Sequence, residues 1–238
     1  MNSGTTLKVN HITLCLTIGK RPKELRRTLE SILSQINFEH IIAINDFRDE
    51  ETNQVFRELC PHGTLIVQDK QVGHHRAVDL MYSQVKTPYI FHCEDDWQFD
   101  QPLQLDKYIE LLKHDPNANI VCLRKVSNFI LSEEQKSQVK YYQTQPLATA
   151  RLDYTHAKWH GYTFNPHIAS IDVWKKTGGF YKFRKERDVS IFFRSQGKYN
   201  LFLKEGVCHH IGENSVSYPQ NQSFFKKLKS KIYGYPVD

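Results

Sequence analysis

The sequence has no apolar run near the roughly 18–20 residues that a membrane span requires, and no basic-then-apolar opening of the signal-peptide kind. Cysteine is scarce: there are five, an odd number, with no C-x-x-C pair. That excludes a zinc ribbon or a disulfide frame. Cys15, Cys93, Cys122 and Cys208 fall in or beside apolar, strand-like runs. They read as reduced core thiols in a cytoplasmic chain, where the glycosylation-like Asn221-Gln222-Ser223 goes unused. Excess charge is small, 32 Lys and Arg against 26 Asp and Glu, for a net +6. This is too mild to imply a nucleic-acid partner without a supporting motif. It suits an enzyme of phosphorylated substrates, or one resting on an anionic membrane surface. The chain shows no internal repeat and no low-complexity tract. Its 238 residues, 39% hydrophobic, suffice for one substantial core and predict a single domain.

What is present is alternation. After a loose start over Met1 to Asn10, Ile12–Ile18 reads as a strand. Pro22 opens a helix carrying Leu25, Leu29, Ile32 and Leu33. A second strand over His40–Asn45 ends at Asp46. A helix marked by Val55, Phe56 and Leu59 stops at Pro61-His62-Gly63. Leu65–Val67 is a third strand, followed after Gly73 by a helical face of Ala77, Val78, Met81 and Val85. Tyr89 begins a fourth strand, a helix through Leu105, Ile109 and Leu112 follows, and Ile120–Leu123 is a fifth strand. This order predicts an α/β fold: βαβ units and a mostly parallel central sheet with helices on both faces.

The division expected is 1–125 as one half of the domain, 126–222 as its second half and 223–238 as a basic tail. The second half is less regular. Ser132 to Asp153 lacks a period and reads as a mobile excursion, Asp188–Arg194 as a short helix, Tyr199–Leu203 as a strand, and Val207–Gly212 as the last ordered piece. The tail sets Phe224, Phe225, Leu228, Ile232 and Tyr233 among lysines, which predicts either peripheral contact with anionic lipid or a solvated last helix.

The fourth strand runs into Glu94, Asp95 and Asp96, three adjacent carboxylates before Trp97. Like charges at a strand end need full solvation or a cation. A hard divalent ion relieves the repulsion and leaves positions for substrate phosphates. In open α/β sheets, ligands collect at the carboxyl ends of strands. A solvated acidic turn is the competing explanation for these three residues alone.

The order of motifs resembles a GT-A-fold glycosyltransferase of the family-2-like, inverting, metal-dependent kind. They are Thr17-x-x-x-Arg21-Pro22 after the first strand, Asp46 closing the second, Gly73-x-x-Arg76 opening a helix, Glu94-Asp95-Asp96, Glu186-x-Asp188, and His210-Ile211-Gly212. The likeness runs from about Ile12 to Gly212 and is weakest between Val126 and Lys158.

It implies a GT-A, Rossmann-like sheet and an irregular acceptor-binding C-terminal half. It also implies a donor nucleotide-sugar (UDP-sugar favoured) held by Thr17, Arg21, Asp46, Gly73, Arg76, Glu94 and Asp95. Asp96 and His210 would hold Mn²⁺ or Mg²⁺, His209 being the alternate to His210. Glu186 would be the base for the acceptor hydroxyl, with Asp188 capping the helix or orienting neighbours. The residue before Glu186 is Lys185, where the fuller family motif has Glu. The acceptor, a glycan or glycolipid, would meet Trp159, Tyr162 and Asn165, with core packing the alternative for each aromatic. By analogy the pathway would be polysaccharide or lipopolysaccharide biosynthesis. His74 and His75 stay open between ligand contact and exposed surface. A sugar-phosphate nucleotidyltransferase and a non-catalytic carbohydrate-binding module remain the alternatives.

Overall fold

The computed structural model describes residues 7–143 and 145–212. Its first half runs β1 (Leu7–Ile18), α1 (Pro22–Leu33), β2 (Ile36–Asn45), α2 (Glu50–Leu59), β3 (Thr64–Val67), α3 (His74–Tyr82), β4 (Tyr89–Glu94), β5 (Trp97–Phe99), α4 (Leu105–His114) and β6 (Ala118–Cys122). The second half adds α5 (Glu133–Gln138), β7 (Lys140–Tyr142), β8 (Thr149–Arg151), β9 (His167–Ser170), α6 (Ile171–Thr177), α7 (Glu186–Arg194), β10 (Tyr199–Leu203) and β11 (Cys208–His210).

Nine strands form one sheet in the order β3-β2-β1-β4-β9-β6-β10-β8-β7, and β11 pairs with β5 in a separate ribbon. Within the nine, β9 and β8 run against the others. Because β9 from the second half wedges between β4 and β6, both halves share one sheet. Side chains alternate across each strand, and the sequence exploits this on both faces. Leu14, Leu16, Phe91, Cys93 and Val121 pack with Leu25 and Leu29 of α1, Phe56 of α2 and Tyr108 of α4. On the other face Cys15, Ile90, Ile120 and Cys122 pack with Val78 and Met81 of α3 and Val189 and Phe193 of α7.

Three expectations change. β1 begins at Leu7, so residues 7–10, expected to be loose, belong to a strand. The stretch after Ser132 is no excursion: a capping box on Ser132 and Gln135 starts α5, and β7 and β8 extend the sheet edge. Within the second half read as less regular, residues 167–177 form a strand and a helix, β9 and α6. The tail and Asn221-Gln222-Ser223 lie outside the described residues.

Candidate active site

The site grows from the carboxyl ends of β1 and β4. The turn between β4 and β5 carries the acids and is pinned from below by Thr28 of α1. The Thr28 hydroxyl donates to the Asp95 carbonyl at 2.9 Å and accepts the Trp97 N–H at 3.0 Å. The Gly19 N–H donates to Asp95 Oδ2 at 2.8 Å. Arg21, at the start of α1, reaches Asp95 Oδ1 at 3.4 Å and also pairs with Asp96 Oδ2. The antiparallel ribbon sets His210 opposite Trp97, with Nε2 2.9 Å from Asp96 Oδ2. His209 points the other way, to Asp100 at 3.1 Å. Asp46 closes β2, and its two oxygens accept the N–H groups of Val72 and Gly73 at 2.7 and 2.9 Å.

These residues line a cavity of about 400 Å³ bounded by Thr17, Gly19, Arg21, Asp46, Phe47, Gln71, Gly73, His74, Glu94, Asp95, Asp96, His210 and Gly212, among others. Asp95 and Asp96 are only 4% and 2% exposed. Burial, followed by the Asp96 charge, raises the Glu94 pKa to about 8, with Glu186 and Asp95 adding to the push and the Trp97 indole N–H opposing it. Burial and Asp96 likewise raise Asp95 to about 7, against the Gly19 N–H and Arg21. The folded chain thus carries more acid here than its own groups neutralise.

Glu186 opens α7 outside that cavity lining, yet its charge acts on Glu94, Cys122, Arg124 and Tyr162, so it lies within electrostatic range of the acid cluster. Asp188 reaches back to accept the Lys185 N–H at 3.2 Å, a helix-capping contact. Arg76 is on the exposed side of α3, outside the cavity lining.

Of the residues expected on the acceptor side, Tyr162 packs in the core: it is 1% exposed, stacked on Phe193 with ring centroids 5.1 Å from Phe180 and 5.6 Å from Phe193. Asn165 is half-buried and accepts from Arg124 Nη1 at 3.1 Å. Trp159 is half-buried, and its carbonyl accepts from Arg194 at 2.9 Å. This segment buttresses α7: a Cβ on Gly161 would lie 2.4 Å from the Ser190 carbonyl oxygen. Sequence reasoning missed Phe47 and Gln71 in the cavity lining. The position of Phe47 just beyond the strand-closing Asp46 was the one available signal.

Among the described residues no group of three or more His, Cys, Asp or Glu is arranged to hold a metal ion. Asp96 and His210 still offer two donors to one cavity. One carboxylate and one imidazole suit Mn²⁺ better than Mg²⁺, with phosphates and water left to complete the shell. The excess acid of the cluster favours a cation in the same place. The residues therefore fit a divalent ion shared with a substrate.

A largely parallel sheet with helices on both faces and an acid-lined cavity at its carboxyl ends is a GT-A, Rossmann-like architecture. The chain belongs to glycosyl transferase family 2, whose model matches residues 14–210. Among solved structures it is similar to the mannosyltransferase PcManGT of Pyrobaculum calidifontis in complex with GDP-Man and Mn²⁺, at 11% identity and a TM-score of 0.60, covering 86% of this chain and 58% of that one. It is also similar to S. aureus TarS 1-349, at 11% identity and a TM-score of 0.57, covering 84% and 60%. The chain thus spans 58–60% of the length of these two structures, and the likeness speaks to fold. Compared by sequence with curated proteins, the chain has no significant match. Among the described residues no helix is long and apolar enough to cross a membrane.

Proposed function

We propose that this enzyme moves a sugar from a nucleotide-sugar, a UDP-sugar by preference, to a hydroxyl of a glycan or glycolipid, with inversion at the anomeric carbon. The observation that carries the reading is convergence: Thr17, Arg21, Asp46, Gly73, Glu94, Asp95, Asp96 and His210, far apart in sequence, line one cavity. Asp46 keeps a free lone pair on each oxygen beyond the Val72 and Gly73 contacts, enough to accept an imide N–H of a pyrimidine base. Arg21 offers a planar fork to phosphate oxygens. Asp96 and His210 are the residues to hold Mn²⁺ or Mg²⁺. Such an ion, when bound, supplies Lewis-acid neutralisation of the leaving nucleoside diphosphate.

Glu186 takes the proton of the acceptor hydroxyl as that oxygen bonds to the anomeric carbon and the bond to the diphosphate oxygen breaks, its electron pair leaving with the nucleotide. The GDP-Man and Mn²⁺ bound to the mannosyltransferase neighbour support a metal-assisted nucleotide-sugar donor, while the preference for a UDP-sugar rests on the resemblance of Asp46 to the family's base-reading acid. Peripheral membrane contact, a cytoplasmic location and a role in surface-polysaccharide assembly belong to the same reading.

The test is calorimetric titration of UDP and GDP with and without Mn²⁺, followed by release of the diphosphate from a panel of nucleotide-sugars. Binding of UDP that needs Mn²⁺ and is lost in Asp96→Ala supports the reading. UDP binding that survives both metal removal and Asp96→Ala refutes the metal assignment. Glu186→Gln is expected to bind donor yet lose transfer by about 10²-fold or more; near-normal turnover would move the base to another group.

A further inference from the structure

The chain between α6 and α7 decides where Glu186 stands, and it follows an uncommon path. Gly178 and Gly179 are both left-handed, at φ +68° and +107°, and a Cβ on Gly179 would lie 2.8 Å from the Tyr181 ring. What holds this path is one carboxylate on a different helix. Asp79 of α3 accepts three N–H donors: the Trp174 indole at 2.7 Å and the Phe180 amide at 2.7 Å on Oδ1, and the Tyr181 amide at 2.8 Å on Oδ2. A second tether lies one helical turn earlier, where His75 Nδ1 meets the Phe183 carbonyl at 2.8 Å. A carbonyl only accepts, so that imidazole carries its proton on Nδ1 and donates. Residues four apart share a helix face. One side of α3 thus fastens the backbone at 180, 181 and 183, the last only three residues before Glu186.

A neighbouring face of the same turns of α3 belongs to the donor cavity. Asp46 anchors the Val72 and Gly73 amides, and Gly73, His74 and Ala77 line the cavity wall. Nine residues of helix span about 13 Å. One rigid element therefore joins the corner assigned to the nucleotide with the segment that delivers the base. Neither Asp79 nor His75 is among the cavity residues, so neither is a catalytic residue.

We propose that Asp79, assisted by His75, is a positioning residue for Glu186, holding the α6–α7 connection so that the carboxylate stays within range of the acid cluster while donor binding is left to the first turn of α3. The proposal rests on the reading of Glu186 as base. Rate depends steeply on such placement, because a misplacement of about 1 Å can cost on the order of 10²-fold.

Asp79→Asn tests it with little change of shape. The amide keeps one oxygen acceptor but turns an NH₂ toward an N–H that needs an acceptor. The expected result is a fall in kcat per folded enzyme of about tenfold or more, with donor affinity and KM within about threefold of the parent. In the Glu186→Gln background the same change should cost nothing further, because a group acting through Glu186 has nothing left to position. A kcat near the parent value, or losses that multiply in the double variant, overturns the proposal even if Glu186→Gln alone is inactive. Parent-like turnover in Glu186→Gln, by contrast, overturns the base reading and takes this proposal with it. Should Asp79→Asn fold poorly, His75→Ala and His75→Gln give an independent test. Ala should lower kcat severalfold, and Gln, whose amide can still donate to the Phe183 carbonyl, should restore part of it. Equal kcat in His75→Ala and the parent counts against the tether.

Discussion

Gly212 stands directly against the carboxylate of Asp96. A Cβ at this position would lie 2.4 Å from Oδ2 and 3.1 Å from both Cβ and Cγ of that residue, where ordinary contact begins at 3.4 Å. Gly212→Ala therefore requires about 1 Å of movement. Its backbone lies outside the left-handed region, so the effect is steric and not one of φ. Asp96 has little freedom to yield. Its Oδ2 takes both Arg21 and His210, and its carbonyl accepts the Ile211 N–H at 2.8 Å. Shifting Oδ2 by this amount disrupts two charge-assisted hydrogen bonds, each worth about 1.5–3 kcal/mol. His210, with a side chain 45% exposed, can swing to recover part of that. The net cost is that of moderate overpacking, about 1–3 kcal/mol, or roughly 2–4 °C in Tm per kcal/mol for a chain of this size. Mn²⁺-assisted UDP affinity should fall at least about tenfold, the equivalent of about 1.4 kcal/mol. Calorimetry and thermal unfolding measure the two effects side by side. Gly197→Ala is the control: it has no atom within 4 Å and φ +72°, so it should cost about 1–2 kcal/mol of backbone strain and leave UDP binding alone. Parent-like binding and Tm in Gly212→Ala would refute this placement of Asp96.

The raised pKa values of Asp95, about 7, and Glu94, about 8, fix a sign. The native state holds protons that the unfolded chain has released, so ligand-free stability should fall as pH rises from the ordinary carboxyl range near about 4 through about 8. A Tm that climbs over that window would contradict the arrangement. Tyr162→Phe removes a buried hydroxyl 3.4 Å from His167 Nε2; it should cost about 1 kcal/mol or less and leave acceptor KM unchanged, whereas an altered KM would return Tyr162 to the acceptor site. Thr28→Val keeps the volume but strands the Asp95 carbonyl and the Trp97 N–H, at about 1–3 kcal/mol for each buried group left unpaired. Its donor KM should rise as Tm falls, and an unchanged Tm would argue against the pinned turn.

The first half of the fold was legible because each strand is a short apolar run closed by Gly, Pro or Asp, and each helix repeats its apolar residues at helical spacing. The gathering of Thr17, Asp46, Glu94, Asp95 and Asp96 at one cavity followed, since polar residues that end successive parallel strands must gather at one edge of the sheet. The misses have separate causes. The period-two pattern of β1 begins at buried Val9, flanked by exposed Lys8 and Asn10, but two polar residues hid it. β9 is four residues long, carries a buried His167, and owes its place between β4 and β6 to tertiary pairing on both sides. All three residues of β7 are exposed, so no apolar alternation marks it. Tyr162 shows the limit for aromatics: the same residue type serves a core or a sugar, and only burial separates the two. Asp79 was invisible because its three partners lie 95–102 residues away.

The cavity owes its chemistry to charge that folding leaves unbalanced. Asp95 and Asp96 are almost wholly buried, Glu94 stands beside them, and Glu186 adds a fourth acid to the same field. Against these the chain sets Arg21, the Gly19 N–H and the Trp97 indole, with Arg124 farther back over the Phe129 ring at 4.2 Å. Amides or hydroxyls in place of these acids would relieve the repulsion, and so would a bound cation. Near neutral pH part of that repulsion is relieved by protons, which any incoming cation must displace. Mn²⁺ binding with UDP should therefore release protons between about pH 6 and 8, and the apparent calorimetric heat should differ between two buffers of unequal ionisation enthalpy at the same pH. Equal heats would mean that Glu94 and Asp95 are already ionised in the free protein, and that Arg21 and the backbone donors neutralise the cluster without help.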